Sequence, residues 1–308
     1  MPKLISIVVP VFRNEGSLIL THQKLVNLFE SKLINYGYEI IFVNDGSDDG
    51  SWNELLQLKK HDEKVKLIDF SRNFGQVAAI VAGCRKSKGD MVIMMSADLQ
   101  DPVELILQMV DSCEKSNDIV ICTRVQRNDE LMSKITSAIF YKLMKWANPN
   151  IPKGGFDFVL MSRKAVDQFN LIDERNRFLQ GDIMWLGFSV VFIPYERLRR
   201  ETGKSQWSFS KKLKYFVDGM INTSYLPLRM MSILGFVFAA LGFLYALVVF
   251  YERLINNVPF KGYAVIVILL LSIGGTIMIM LGIVGAYLWR IFDESKKRNF
   301  FIIKNEIN

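Results

Sequence analysis

Through the first 122 residues, short apolar runs rich in β-branched residues alternate with longer stretches of helical periodicity. The runs are Ile5–Val9, Glu39–Val43, Val65–Phe70, Met91–Met95 and Ile119–Cys122. Between them lie Ser17–Leu33, Trp52–Lys60, Gln76–Lys86 and Pro102–Lys115. Strand, helix, strand at this spacing predicts an α/β domain built on a mostly parallel, doubly wound sheet with helices on both faces. Two helix starts carry local signals. Ser51 with Glu54 fits a capping box, and Asp101, Pro102 and Glu104 supply a cap, a first-turn proline and a first-turn acid. In such a sheet ligands bind at the carboxyl ends of the strands. Those ends are the loops Pro10–Ser17, Asn44–Ser51, Ser71–Gly75 and Ser96–Asp101, all rich in polar groups.

Beyond residue 122 the pattern changes. Asp129–Trp146 fits an amphipathic helix, with Leu131, Ile135, Ala138, Ile139 and Trp146 opposed by Lys134, Lys142 and Lys145. An apolar face bordered by lysines suits a membrane surface or packing on the domain, and both readings stand. A second such segment runs from Phe209 to about Ile221. Met230–Tyr251 is then 22 residues without a formal charge, and Tyr263–Trp289 is 27 more. At about 1.5 Å per residue the shorter run extends about 33 Å, enough to cross a hydrocarbon core of roughly 30 Å. Two transmembrane helices in a hairpin are predicted.

Charge orients the hairpin. Lys211, Lys212, Lys214 and Arg229 precede it, and Arg290, Lys296, Lys297, Arg298 and Lys304 follow it. Excess Lys and Arg marks the cytoplasmic side. The expected organisation is a cytoplasmic domain over 1–205, a juxtamembrane amphipathic helix over 206–228, two spans within 229–290 and a cytoplasmic tail over 291–308. That describes a multi-pass protein of the inner (plasma) membrane with both termini in the cytoplasm.

Composition agrees. Half of the 308 residues are hydrophobic, and the mean hydropathy of +0.20 is high for a chain without a membrane portion. The net charge of +7 sits largely beside the spans, where anionic lipid explains it better than nucleic acid. Leu4–Phe12 is apolar, but Pro10 interrupts it and no small-residue cleavage site follows, so it reads as a strand rather than a signal peptide. Cys84, Cys113 and Cys122 are odd in number and lack zinc-site spacing, which fits reduced, buried thiols.

The strand-end loops hold the chemistry. In Ser96–Asp101, Asp98 and Gln100 stand two apart and point the same way if the segment is extended. Their oxygens are hard ligands suited to Mg²⁺ or Mn²⁺, ions that bridge protein and phosphate. A polar turn followed by a helix cap at Asp101 is the alternative. Asn44–Gly50 has the opening of a calcium EF-hand loop, but position twelve counted from Asp45 is Leu56, not Glu, so calcium is rejected. No G-x-G-x-x-G follows the first strand and no phosphate-binding lysine loop is present, which disfavours dinucleotide and ATP chemistry. His22 and His61 lie in polar, helix-like surroundings and read as solvated surface residues, which disfavours a histidine mechanism.

Four segments in order carry a resemblance: Pro10-Val11-Phe12-Arg13-Asn14-Glu15; Val43-Asn44-Asp45-Gly46-Ser47-Asp48-Asp49-Gly50-Ser51; Ser71-Arg72-Asn73-Phe74-Gly75; and Ala97-Asp98-Leu99-Gln100-Asp101-Pro102. They resemble family 2 glycosyltransferases of the GT-A fold. With the C-terminal hairpin they look most like the polyprenyl-phosphate branch, which includes dolichol-phosphate mannose synthases and bacterial enzymes that load a sugar onto undecaprenyl phosphate. The resemblance covers nearly the whole chain. It implies that Pro10, Val11, Glu15 and Asp45 hold the nucleotide base and ribose, and that Arg72 lines the nucleotide pocket. It implies that Asp98 and Gln100 bind the divalent metal on the diphosphate. Gly155–Arg163 resembles the segment whose aspartate, here Asp157, sits near the reacting sugar and whose arginine, here Arg163, faces the acceptor phosphate. Gly203-Lys204-Ser205-Gln206-Trp207 resembles a loop that closes over the donor, with Lys204 steadying the departing diphosphate. Arg124 matches a basic position after the fifth strand and joins Arg163 at the acceptor phosphate.

One position departs from the family pattern. The metal loop usually begins with aspartate, and this chain has Ser96 there. A hydroxyl is a far weaker ligand than a carboxylate, so weaker metal affinity is expected. The implied reaction is in-line displacement at the anomeric carbon with inversion. The nucleophile is a lipid phosphate, whose second pKa of about 6 leaves it mostly dianionic at neutral pH. No strong base is then required, and Asp157 is expected to orient acceptor or sugar hydroxyls, with base catalysis as the lesser alternative. UDP-glucose is the leading donor, with UDP-N-acetylglucosamine, UDP-galactose, a formylated aminoarabinose donor and GDP-mannose open. Gly235, Ala239, Gly242, Gly274, Gly275, Gly282 and Gly285 permit close helix packing and are compatible with a homo-oligomer, dimer or tetramer. A processive polysaccharide synthase would have more spans. A non-catalytic nucleotide-sugar-binding membrane protein has only Ser96 in its favour.

Overall fold

The computed structural model describes residues 2–124, 156–196, 226–255 and 262–308. The chain divides into two compact units, Met1–Phe216 with Arg298–Asn308, and Val217–Lys297.

The first unit begins with β1 (Leu4–Val11), α1 (Leu18–Ser31), β2 (Gly37–Asn44), α2 (Ser51–His61), β3 (Val65–Phe70), α3 (Gln76–Lys86), β4 (Met91–Met94), α4 (Leu105–Glu114) and β5 (Ile119–Arg124). It continues with β6 (Val159–Ser162), α5 (Arg163–Leu171), α6 (Leu179–Trp185) and β7 (Val190–Tyr195), and ends with β8 (Ile303–Ile307). Among the described residues these strands form one eight-stranded sheet in the order β7-β5-β6-β4-β1-β2-β3-β8. Strands β1 to β4 are mutually parallel. β6 runs antiparallel to both β4 and β5, so those two still point the same way, and β7 is parallel to β5. β8 adds antiparallel to the β3 edge. The sheet is mostly parallel, as expected, with two reversals.

Alternation along the strands builds a core on each face. Ile5, Ile7, Val9, Ile40, Phe42 and Leu67 pack with side chains of α1, α2 and α4 such as Leu25, Phe29, Leu55 and Met109. Val8, Ile41, Val43, Ile68 and Ile121 pack with Ala79, Val166, Phe169 and Ile183 of α3, α5 and α6 on the other face. Each large side chain so buried stabilises the fold by about 1.5–3 kcal/mol. Gly83 sets the closest approach: a Cβ there would lie 2.3 Å from Cγ1 of Val8, so α3 rests on β1 only because that position is glycine.

Three local expectations change. The Ser51–Glu54 pair does not cap α2, whose N-cap is Gly50 without a side-chain bond. Ser51 Oγ accepts from Asn14 N at 2.9 Å, and Glu54 accepts from Gly16 N at 2.8 Å and Ile19 N at 3.0 Å. Both residues therefore hold the loop after β1 and the start of α1. Asp101 is not a cap either, because α4 begins at Leu105 after Glu104. His22 is largely buried rather than solvated, with Nε2 2.8 Å from Asp62, and it links α1 to the end of α2.

The apolar pattern does not predict β8. Ile303-Lys304-Asn305-Glu306-Ile307 carries only two apolar residues and reads as tail. What holds it is tertiary. Phe301 stacks on Phe70 with ring centroids 5.1 Å apart, Lys86 pairs with Glu306 at 2.7 Å, and Asn305 Nδ2 donates to buried Asp69 at 3.2 Å.

The second unit contains α7 (Leu226–Ile255) and α8 (Tyr263–Ser295). Within them, Leu228–Tyr251 and Ser272–Ser295 are long and apolar enough to cross a membrane. A Cβ on Gly235 would lie 3.3 Å from Cε of Met280, so the two helices meet there. Gly242, Gly274, Gly275, Gly282 and Gly285 have nothing within 4 Å of such an added atom. The expected helices Asp129–Trp146 and Phe209–Ile221 lie outside the described residues.

Candidate active site

The loops leaving β1, β2 and β3 are tied together by Asp45. Its N–H donates to Val11 O at 2.8 Å, and its carboxylate accepts from Phe74 N at 2.6 Å and Gly75 N at 2.9 Å. The side chain is buried, and that burial pushes its pKa up to about 6 against the lowering effect of the two N–H donors. Gly46 follows in left-handed conformation at φ +64°, and a Cβ there would strike the Arg72 backbone at 2.4 Å. Only glycine lets the β2 loop pass so close to the β3 loop. Arg72 is exposed and lies over the Phe74 ring at 4.4 Å. Glu15 accepts from Gly50 N at 3.0 Å, while Arg13 makes a two-pronged pair with Asp48 at 2.6 Å. Pro10 and Val11 pair across to Val43 and Asn44. The five residues expected at the nucleotide outside the acidic loop therefore share one end of the sheet.

The acidic loop follows β4. Leu99 adopts φ 54° and Gln100 N donates to Asp98 Oδ1 at 3.3 Å, so the segment is a turn and not the extended stretch expected. Ser96 Oγ lies 2.7 Å from Asp98 Oδ1 and 2.9 Å from Asp101 Oδ2. Asp101, only 1% exposed, also accepts from the Tyr195 hydroxyl. Tyr195 Oη in turn accepts from Arg124 Nε at 3.3 Å, and Arg124 Nη2 donates to the Asp157 carboxylate. One polar chain thus runs from Ser96 and Asp98 through Asp101, Tyr195 and Arg124 to Asp157, across the ends of β4, β5, β7 and the entry to β6. Burial pulls the Arg124 pKa down, but Asp157, Tyr195 and Asp101 outweigh it and hold the pKa above the ordinary value, so the guanidinium stays charged. Burial and the Asp101 charge push the Tyr195 hydroxyl up, so it remains a donor.

Sequence reasoning brings Asp98, Gln100, Arg124 and Asp157 to this place but misses Tyr195 and the role of Asp101. Val190–Tyr195 is a β-branched apolar run, a strand signal that does not say which strand it joins.

Arg163 is a correction. β6 is antiparallel to β4, with Val159 opposite Met94 and Ser162 opposite Met91. The strand enters beside the acidic loop and carries Arg163 to the other end of the sheet. There Arg163 Nε donates to Gly89 O at 2.8 Å, Nη2 reaches Ser87 Oγ at 3.1 Å, and the backbone N–H donates to Asp90 O at 2.8 Å. Its assignment to the acceptor phosphate is withdrawn. Lys204 lies outside the described residues.

The donor set fits a hard divalent ion. The polar groups of the loop are the Asp98 and Asp101 carboxylates, the Ser96 hydroxyl and the Gln100 amide, whose oxygens are hard ligands, and among the described residues no three His, Cys, Asp or Glu side chains form a ready-made metal cage. Such a partial set suits Mg²⁺ or Mn²⁺ completed by phosphate and water. The thiols offer no alternative chemistry: Cys84, Cys113 and Cys122 are unpaired, and burial pushes them up to about 12, 11 and 12.

Comparison with known proteins agrees with this geometry. Residues 6–169 match the model of glycosyl transferase family 2. The bactoprenol glucosyl transferase of Shigella phage SfV is 36% identical, covering 98% of each chain. An uncharacterized glycosyltransferase of Bacillus subtilis (strain 168) is also 36% identical, over 97% of this chain and 93% of that protein. Among solved structures, mannosyl-3-phosphoglycerate synthase from Rubrobacter xylanophilus superposes with a TM-score of 0.50 at 13% identity, over 74% of each chain, a likeness of fold. The mixed sheet, its strand-end acidic loop and these matches converge: the chain belongs to glycosyl transferase family 2 and is a glycosyltransferase with a GT-A-like fold.

Proposed function

We propose that this protein transfers one hexose from a nucleoside diphosphate sugar, with UDP-glucose the leading donor, to polyprenyl phosphate at the cytoplasmic face of the membrane. The observation that carries the reading is the polar chain joining the acidic loop to Arg124 and Asp157, because it sets an anion-binding cation beside a cation-binding loop. The names of the bactoprenol glucosyl transferase relatives support the acceptor. Two helices of membrane-spanning length support its delivery in a bilayer. The division proposed is 1–205 for catalysis, 206–228 at the membrane surface, 229–290 for the spans and 291–308 returning to the cytoplasmic side.

An acceptor phosphate oxygen forms the new bond to the anomeric carbon while the bond from that carbon to the diphosphate oxygen breaks, with inversion. Asp98 and Gln100 would hold Mg²⁺ or Mn²⁺, which supplies charge neutralisation of the leaving diphosphate. Asp45, Glu15, Arg72, Pro10 and Val11 shape the nucleotide pocket. Arg124 has five N–H donors, and those not bonded to Asp157 and Tyr195 are proposed to take an acceptor phosphate oxygen. Asp157 orients that guanidinium and the sugar or acceptor hydroxyls. Lys204 is proposed to steady the diphosphate.

Purified protein incubated with undecaprenyl phosphate and a panel of labelled nucleotide sugars tests this. A lipid product bearing one sugar is expected, greatest with UDP-glucose. Polymer, or binding without turnover, would overturn the reading. Placing a cysteine at Asn257 and labelling intact cells checks orientation: labelling from outside is expected, and labelling only after permeabilisation would reverse the topology.

A further inference from the structure

Tyr195 stands in no motif that carries the family resemblance, yet it occupies the centre of the polar chain. It is 6% exposed and closes β7, with Arg124 as its register partner on β5. Its hydroxyl has one proton, which goes to Asp101, and it accepts from Arg124 Nε at 3.3 Å. Asp101 is reached from the other side by Ser96, itself 2.7 Å from Asp98. No other side chain among the described residues bonds to both Asp101 and Arg124 in this structure.

We propose that Tyr195 is a positioning residue of the transfer reaction, its hydroxyl holding Arg124, and through it Asp157, in register with the loop that carries Asp98. The inference rests on the function proposed above. The physical reason is geometric. Asp157 and Arg124 come from the entry to β6 and the end of β5, whereas Asp98 comes from the turn after β4. Backbone hydrogen bonds fix the strands, but three side chains on three loops need a direct bond to share one geometry to the fraction of an ångström that displacement chemistry requires. A hydroxyl is suited to this, since it donates to the carboxylate and accepts from the guanidinium at the same time.

Tyr195→Phe removes that oxygen and keeps the ring, Asp101→Ala removes its acceptor, and the double variant closes a cycle. Three measurements apply to the full-length protein: sugar transfer to undecaprenyl phosphate, Mn²⁺ binding in the presence of UDP followed by electron paramagnetic resonance, and thermal unfolding. The expected result is a kcat lowered about tenfold to a hundredfold in Tyr195→Phe, with KM for the donor within about threefold. Mn²⁺ is expected to bind the variant with a changed spectrum, because the loop is no longer held. In the Asp101→Ala background the same substitution is expected to cost less than about twofold, since the link to the acidic loop that it removes is already broken.

A Tyr195→Phe enzyme with wild-type kcat and an unchanged Mn²⁺ spectrum overturns the inference while leaving the glycosyl transfer reading intact. So does a penalty that repeats in full in the Asp101→Ala background. A wild-type protein that transfers no sugar to any lipid phosphate overturns both. If Tyr195→Phe fails to fold, the kcat and Mn²⁺ spectrum of Asp101→Ala alone decide: values equal to wild type sink the proposal, and the losses described support it.

Discussion

The two ends of the sheet each carry a connected set of polar groups, and they differ in what those groups bond to. At the amino ends of the parallel strands, Glu39 pairs with Lys66 and accepts from Ser6 Oγ at 2.6 Å and Lys88 N at 2.7 Å. Ser6 Oγ accepts from Gly89 N at 2.8 Å, and Arg163 closes on Gly89 O. Most of these bonds are to main chain, and they fasten the start of β4 and α5 to the sheet. At the carboxyl ends, Asp101, Tyr195, Arg124 and Asp157 bond side chain to side chain, and the Asp157 side chain remains 30% exposed. Polar content alone does not distinguish a fastening from a site. Strand direction does, because the carboxyl ends open onto loops that leave groups facing solvent.

That contrast is broken or sharpened by substitution. The largest effect belongs to Asp157→Asn, which removes the charge opposite Arg124. Transfer is expected to fall about a hundredfold in kcat, measured with saturating donor and acceptor; a loss under about threefold would remove Asp157 from the reaction. Arg163→Met should behave the opposite way. It strips the donors from Gly89 O and Ser87, costing about 1–3 kcal/mol of stability, while kcat stays within about twofold. Denaturant unfolding beside a transfer assay separates the two arginines, and an inactive but fully stable Arg163→Met would return that residue to the acceptor phosphate.

Ser96→Asp comes next. A carboxylate in place of the hydroxyl supplies the ligand this loop lacks, and the Mn²⁺ concentration for half-maximal activity is expected to drop about tenfold, a change of about 1.4 kcal/mol. Superimposable Mg²⁺ and Mn²⁺ titrations for the two proteins would discard the idea that the serine weakens the site.

The last effect bears on stability rather than on transfer and is read as a pH slope. Burial raises Asp45 from 3.8 to about 6. The folded protein therefore holds that proton more tightly than the unfolded chain does. Its contribution to stability is complete below about pH 4 and is lost as pH rises through about 6, at up to about 1.4 kcal/mol per pH unit. Asp45→Asn should flatten that part of the stability curve relative to wild type. An unchanged slope between pH 4 and 6 would mean that the Phe74 and Gly75 N–H groups offset the burial.

Much of this site is legible in the sequence because its parts lie next to their strands. Asp45, Asp98 and Gln100 directly follow apolar runs, so placing the strand places the residue. Asp157 and Arg163 are six positions apart in one segment, and that proximity misleads: an intervening strand carries them to opposite ends of the sheet. Asp101 misleads for a similar reason. Asp-Pro before a helix fits a cap, yet its carboxylate is taken by a tyrosine 94 residues away.

The sequence by itself determined the alternating α/β order, the four strand-end loops, the two apolar helices and the membership of a glycosyltransferase family. Periodicity and length encode the first three locally, within one element or one turn, and the motifs of the strand-end loops carry the resemblance that implies the fourth. Only the tertiary structure decided which strand reverses, which arginine reaches the reacting end, and that the last residues complete the sheet against β3. Those outcomes depend on pairing between segments far apart in the chain, and the free energy that selects a partner is shared between two surfaces, neither of which records the other.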